Sequence, residues 1–282
     1  MEHTRVSFVL GHHQEQASVV YCEQGQPSLL VTDLTPFHPQ SHLWPDQPGD
    51  VGTVRWDGGE AAVGPCRMGV ISPEGRLFVD QDIPVKRGAE GWTFVVVHPL
   101  AGSHQLAIGT QVELRVDAGA RHSLSLGHSG CHLVALALNR ALVPYWRKEV
   151  NERDALDQPD FDRLAIQSSR VEPLSSREQY RIGKSLRKKG VNSEALLADL
   201  ALIEEKVNRQ LASWLAAGGE ISRSRAGEAI IDSRYWHCTL EGKELTIPCG
   251  GTHAGTLAEL GQVKVQLAPA EEGFSLLSEV TP

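Results

Sequence analysis

Glycine and proline punctuate the first hundred residues so closely that a long helix has no room there. Turn signals stand at Gly25-Gln26-Pro27, Asp57-Gly58-Gly59, Pro73-Glu74-Gly75 and Arg87-Gly88. Between them lie short apolar runs. Thr93 to His98 reads Thr-Phe-Val-Val-Val-His, a β-branched stretch of strand length, and Val6 to Leu10 and Leu29 to Thr32 are shorter candidates. Many short strands with frequent turns predict a small barrel or sandwich. Ala101 to Gly109 reads as a connector.

After residue 110 the texture changes. Val112, Leu114 and Val116 alternate with polar residues, as a half-buried strand requires. His128 to about Trp146 is a predicted helix that Pro144 should end. Ser193 is placed to cap another. Its apolar residues Leu196, Leu200, Ile203, Val207, Leu211 and Trp214 step by 4, 3, 4, 4 and 3 along one face, and Gly218-Gly219 follows as a stop. Ala229 to Asp232, Leu245 to Pro248, and Val263, Val265 and Leu267 read as strands. The expected fold class is α+β: a small β-barrel-like domain over residues 1–110, then an α+β domain with an antiparallel sheet over residues 111–282.

Composition narrows the function classes. Lys plus Arg is 27 and Asp plus Glu is 35, a formal charge of 27 − 35 = −8, which disfavours a dedicated DNA-coating protein but permits a local basic patch. No run approaches the roughly 20 apolar residues of a membrane span, and the N-terminus, with Glu2, His3 and Arg5 around few apolar residues, reads as lacking a secretory apolar region. Five cysteines are too few, and an odd number, for a disulfide scaffold. The expectation is a reduced, cytoplasmic protein. The sequence sets no oligomeric state.

His128 and His132 are four apart, so on a helix they share a face one turn apart. Downstream, Cys249 and His253 bracket Gly250-Gly251-Thr252 after Pro248. A thiolate and an imidazole in a glycine-rich turn can curl around a metal, and with the two helical histidines they make a Cys-His3 set suited to zinc. Spacing alone equally suits two histidines on a polar helix face. His38 and His42 repeat the interval, but Pro39 between them breaks a helix, and they read as a solvated loop. Cys131 points off the histidine face and reads as buried and non-ligating. His237 and Cys238, adjacent on a strand, point to opposite faces.

Pro248-Cys249-Gly250-Gly251-Thr252-His253 resembles the signature of alanyl-tRNA synthetase editing domains and of their free-standing relatives, the AlaX-type editing proteins. His128-Ser129-Gly130-Cys131-His132-Leu133 resembles that family's other signature, His-(Ser/Thr)-x-x-His at a helix start. Ala258-Glu259-Leu260-Gly261 is similar to its Gly-Glu-Ile-Gly. Earlier, Asp33-Leu34-Thr35-Pro36-Phe37-His38-Pro39 and Gln47-Pro48-Gly49-Asp50-Val51-Gly52 resemble the two flanks of the family's glycine-rich loop. The triple glycine between them is replaced by Gln40 to Asp46, which includes His42, Leu43 and Trp44.

The resemblance implies zinc on His128, His132, Cys249 and His253. It also implies hydrolysis of the ester joining serine or glycine to alanine tRNA. Gly250, Gly251, Thr252 and Ser129 are the expected substrate neighbours; as plain structure, the hydroxyls cap or brace and the glycines form a tight turn. Four protein ligands close a zinc site, whereas catalytic zinc keeps an open position. Either one ligand is not permanent, or the coordination expands, or the metal only positions substrate. For tRNA, the candidate patch is Lys184, Arg187, Lys188 and Lys189, with Arg181 beside them and Arg223 and Arg225 as an extension; a solvated helix face is the plain alternative. The loss of the triple glycine leaves two other readings open: a non-catalytic zinc-stabilised tRNA-binding protein, or an editor of another aminoacyl ester.

Overall fold

The structure, a computed structural model, describes residues 1–282. The chain is α+β and divides into two compact units. Met1–His122, Arg223–Tyr235 and Pro248–Thr252 form one; Ser123–Ser222, Trp236–Ile247 and His253–Pro282 form the other.

The first unit contains β1 (Arg5–Val6), β2 (Gln14–Glu23), β3 (Ser28–Thr32), β4 (Leu34–Thr35), β5 (Gly52–Trp56), β6 (Gly59–Val63), β7 (Arg67–Ile71), β8 (Leu77–Val79), β9 (Thr93–Leu100) and β10 (Gln111–Val116). Six of these close an antiparallel barrel in the order β3-β2-β10-β5-β6-β9, with β9 pairing back onto β3. Closure leaves these strands without a bare edge. Val19, Leu30, Val54, Val63, Val96 and Leu114 fill the core. β9 also pairs with β7, which carries β8 outward. Its Val95 and Val97 pack in a second apolar cluster on the opposite side from Val96, which explains the uninterrupted Phe-Val-Val-Val run. β10, read from sequence as a half-buried strand, is a barrel strand between β2 and β5.

A buried ion pair pins this unit. Asp50 and Arg121 side chains are 0% and 5% exposed. Asp50 accepts from the His38 N–H at 2.5 Å and from Arg121 Nε at 3.1 Å, and Arg121 also donates to the carbonyls of His12 and Pro36.

The second unit begins within α1 (Ala118–Ala141) and continues through α2 (Phe161–Ala165), β11 (Ile166–Glu172), β12 (Ser175–Arg181), α3 (Lys184–Lys189), α4 (Ser193–Ala198) and α5 (Leu200–Ala217). The chain then forms β13 (Ile221–Arg225), β14 (Arg234–Leu240) and β15 (Lys243–Pro248), a three-stranded sheet, and ends in β16 (Gln262–Ala270) and β17 (Gly273–Thr281). An antiparallel sheet runs β11-β12-β17-β16. α1 packs closely on it because Gly127 and Gly130 carry no side chain. A Cβ at Gly127 would lie 2.6 Å from the Glu172 carbonyl oxygen, and one at Gly130 would lie 2.9 Å from Val280. α5 covers the edge strand β16: Asn208 bonds the N–H and carbonyl of Val265, and Glu204 accepts from the Leu267 N–H.

Four sequence expectations are corrected. Only Arg5–Val6 of the first candidate strand is extended; Phe8–Leu10 is a 3-10 turn closed by Gly11 at φ 84°. α1 starts at Ala118, because the Asp117 carboxylate caps it by accepting from the Ala120 N–H at 2.9 Å, and a 3-10 turn, Val143–Tyr145, holds Pro144 after its end. The stripe Leu196 to Trp214 is buried as expected, but it spans two helices that break at Asp199, and Asn192 rather than Ser193 is the N-cap residue. Ala229 to Asp232 is a turn, with Asp232 accepting from the Ala229 N–H at 2.8 Å. No helix is long and apolar enough to cross a membrane.

Candidate metal centre

The middle of α1 brings His128 and His132 onto one face, with ring centroids 5.0 Å apart and nearly parallel. His253 lies 4.3 Å from His128 and 5.1 Å from His132, centroid to centroid. Cys249, the first residue after β15, completes the group. One ligand atom from each of the four lies within 4.8 Å of every other, so the cluster could hold a metal ion. A tetrahedral ion bound at about 2.0–2.3 Å sets donors roughly 3.3–3.8 Å apart, so shifts of about an ångström close the set. The donor chemistry, three imidazoles and one thiol, fits a borderline-soft cation such as zinc.

The surroundings orient the ligands. Ser129 is fully buried; its hydroxyl lies 3.3 Å from His253 Nδ1 and accepts from the Ala254 N–H at 3.0 Å. A bond at Nδ1 leaves Nε2 as the nitrogen that could take a metal. Trp236, fully buried on β14, stacks on His132 with centroids 5.0 Å apart. Desolvation pushes the Cys249 thiol up to about 12; the Gly251 N–H directed at the sulfur and the nearby Arg234 guanidinium oppose that rise. A bound cation is what would make the thiolate at neutral pH.

Arg234 and Gln47 were not assigned to the centre from sequence. Arg234 accepts from the Cys249 N–H at its carbonyl (3.0 Å) and sets its guanidinium over the Phe8 ring, donating to the Ile230 carbonyl. A Cβ at Gly250 would meet Arg234 Nη2 at 3.2 Å, so the glycine gives the guanidinium room. Gln47 holds Thr252 twice: its Nε2 donates to Thr252 Oγ1 at 2.7 Å, and its Oε1 accepts from the Thr252 N–H at 2.9 Å. Gln47 stands in the loop flank quoted above, so a signal for it was present; Arg234 and Trp236 lie in no motif.

The other candidates fall outside the cluster. His38 is buried rather than solvated. Burial pushes it down to about 3, and its ring packs edge-on to Phe8. Cys131 donates to Glu178 Oε1 at 3.3 Å. His237 bonds Thr246, while Cys238 is buried. Lys184, Arg187, Lys188 and Lys189 lie on α3. Lys184 and Arg187 line a cleft of about 930 Å³ with Arg181, Glu194, Glu271 and Glu272. Arg181 pairs with Glu272, Lys189 with Glu152, and Arg187 donates to the Ile182 carbonyl. Arg225 is committed to Glu228 and the Val6 carbonyl.

No protein-family model matches the chain. It is similar to the alanine–tRNA ligases of Parafrankia sp. (26% identical over 259 residues, 88% of this chain and 23% of the ligase), Halorhodospira halophila (28% over 263 residues, 92% and 25%) and Sorangium cellulosum (28% over 256 residues, 89% and 23%). The chain thus spans about a quarter of the length of the ligases it matches. Over about nine-tenths of its own length, this protein is similar to a segment of alanine–tRNA ligases.

Proposed function

We propose that this protein is a zinc-dependent deacylase that hydrolyses serine or glycine from mischarged alanine tRNA, acting in the cytoplasm. The carrying observation is the meeting of His128, His132, Cys249 and His253 in one cluster, although about 120 residues separate the two pairs. The similarity to alanine–tRNA ligases supports tRNA as the partner. In this reading residues 111–282 form the editing domain and residues 1–110 the barrel domain.

When bound, the zinc supplies Lewis-acid polarisation of the ester carbonyl. The chain's own residues position the reaction. Ser129 orients His253. Gln47 fixes Thr252 and with it the turn between Cys249 and His253. Of the two glycine N–H groups, that of Gly251 faces sulfur, so the contact to the developing oxyanion falls to Gly250. Lys184, Arg187, Lys188 and Lys189 meet tRNA phosphates.

A second reading, a zinc-stabilised tRNA-binding protein without hydrolysis, draws on residues 40–46, where Leu43 and Trp44 are exposed in place of glycines. A deacylation time course with catalytic amounts of protein and alanine tRNA carrying serine, glycine or alanine separates the readings. The expected result is release of serine or glycine with alanine spared, and joint loss of metal and activity in His132→Ala. No release from any of the three with metal bound would overturn the editing function, and release from another aminoacyl-tRNA would reassign the substrate.

A further inference from the structure

Residues 40–46 present an exposed aromatic surface on a braced loop. Trp44 is 41% exposed and Leu43 69%. The N–H groups of both donate to Ser41 Oγ at 3.2 Å, and Gln81 Nε2 donates to the His42 carbonyl at 3.1 Å. The Asp46 carboxylate accepts from the Gln47 N–H at 2.8 Å, and Gln47 holds Thr252. Thr252 precedes the ligand His253 and follows the ligand Cys249 by three residues. The Asp46 carboxylate is close enough to Cys249 to influence its thiol. Trp44 is three residues from Gln47, a reach of at most about 11 Å, the scale of a single nucleoside.

An exposed indole beside an exposed leucine offers a flat apolar face to a ligand of matching shape. One Trp and one Leu are too small for a stable protein interface of about 1,200 Å² or more. Serine and glycine side chains offer an indole nothing to match. The Asp46 carboxylate sits on the loop, and Arg67 beside it is paired with Asp80. A nucleobase has the required flat face, and base–aromatic stacking tolerates any base.

We propose that Trp44 is the stacking platform for the unpaired 3′-terminal nucleobase of the RNA whose ester reaches the metal centre. The proposal rests on the deacylase reading for the position of the ester. Its test uses uncharged RNA, so the two can fail separately. The probes are an RNA hairpin ending in unpaired 3′-CCA and the same hairpin with an abasic last nucleotide, their binding read by fluorescence anisotropy. In the unaltered protein, removing the terminal base should weaken binding about 10- to 100-fold, the range set by one stack. In Trp44→Ala the two RNAs should bind equally, and Trp44→Phe should restore most of the difference. Equal binding of both RNAs to the unaltered protein, the same ratio in Trp44→Ala, or no binding of either RNA overturns the proposal. Absence of deacylation with the Trp44-dependent difference intact overturns the enzyme and leaves the stacking site standing.

Discussion

Asp50→Ala should be among the most damaging single changes in the barrel unit. Asp50 faces Arg121 with neither side chain more than 5% exposed, and its carboxylate also holds the His38 N–H. Removing it leaves a guanidinium in a site where its remaining protein acceptors are the carbonyls of His12 and Pro36. Breaking one side of a buried pair costs about 3–5 kcal/mol, because the surviving charge stays desolvated. At about 2–4 °C per kcal/mol for a unit of this size, the first thermal transition should fall by roughly 6–20 °C. The Asp50→Ala/Arg121→Met double variant removes the stranded charge and should be no less stable than Asp50→Ala alone. Urea titration of the four members of this cycle, fitted with separate transitions for the two units, gives the coupling directly. A loss under about 1 kcal/mol for Asp50→Ala, or a double variant that loses the sum of the singles, would refute the reasoning.

Two further perturbations follow. Gln47→Leu keeps the side-chain volume but removes both bonds to Thr252, so zinc affinity measured against a competing chelator should fall about 10- to 100-fold with the fold retained; unchanged affinity would show that Thr252 needs no clamp. Burial pushes Glu178 up to about 7, so its contribution is fully present below about pH 4.5 and is lost as pH rises toward 7. That share is on the order of 3 kcal/mol. Glu178→Gln should flatten this part of the stability profile of chelator-treated protein, and an unaltered slope would assign it to Asp162, which burial raises to about 6.

The parts of the fold legible in the sequence were those with local causes. The valine run of β9, the alternation of β10 and the stripe from Leu196 to Trp214 each record burial in a repeating pattern. The first turns of α1 were missed because residues 118–127 include two glycines and two serines, poor helix formers, and tertiary packing overrides that preference: Gly127 stands where the helix presses on the Glu172 and Ser175 carbonyls. The four side chains that meet in the candidate centre were legible because metal chemistry demands particular residues at particular spacings. Arg234 and Trp236 were not, because a cation beside a thiol and a ring stacked on an imidazole are made by the fold and leave no interval to read.

The loop before β5 shows why partial resemblance there is physically coherent. Its two flanks carry the residues with buried obligations: Asp50 neutralises Arg121, and Gln47 braces Thr252 between two ligands. Substitution at either removes hydrogen bonds from buried polar groups, and such losses cost about 1–3 kcal/mol or more each. Residues 41–45 carry a lighter burden, since their bonds are largely to Ser41 and to the exposed Gln81. The His42-Leu43-Trp44 stretch therefore leaves the clamp on the Cys249–His253 turn in place and sets what the loop shows to solvent. The proposed centre and the proposed recognition beside it can vary separately because they rest on different residues of one short segment.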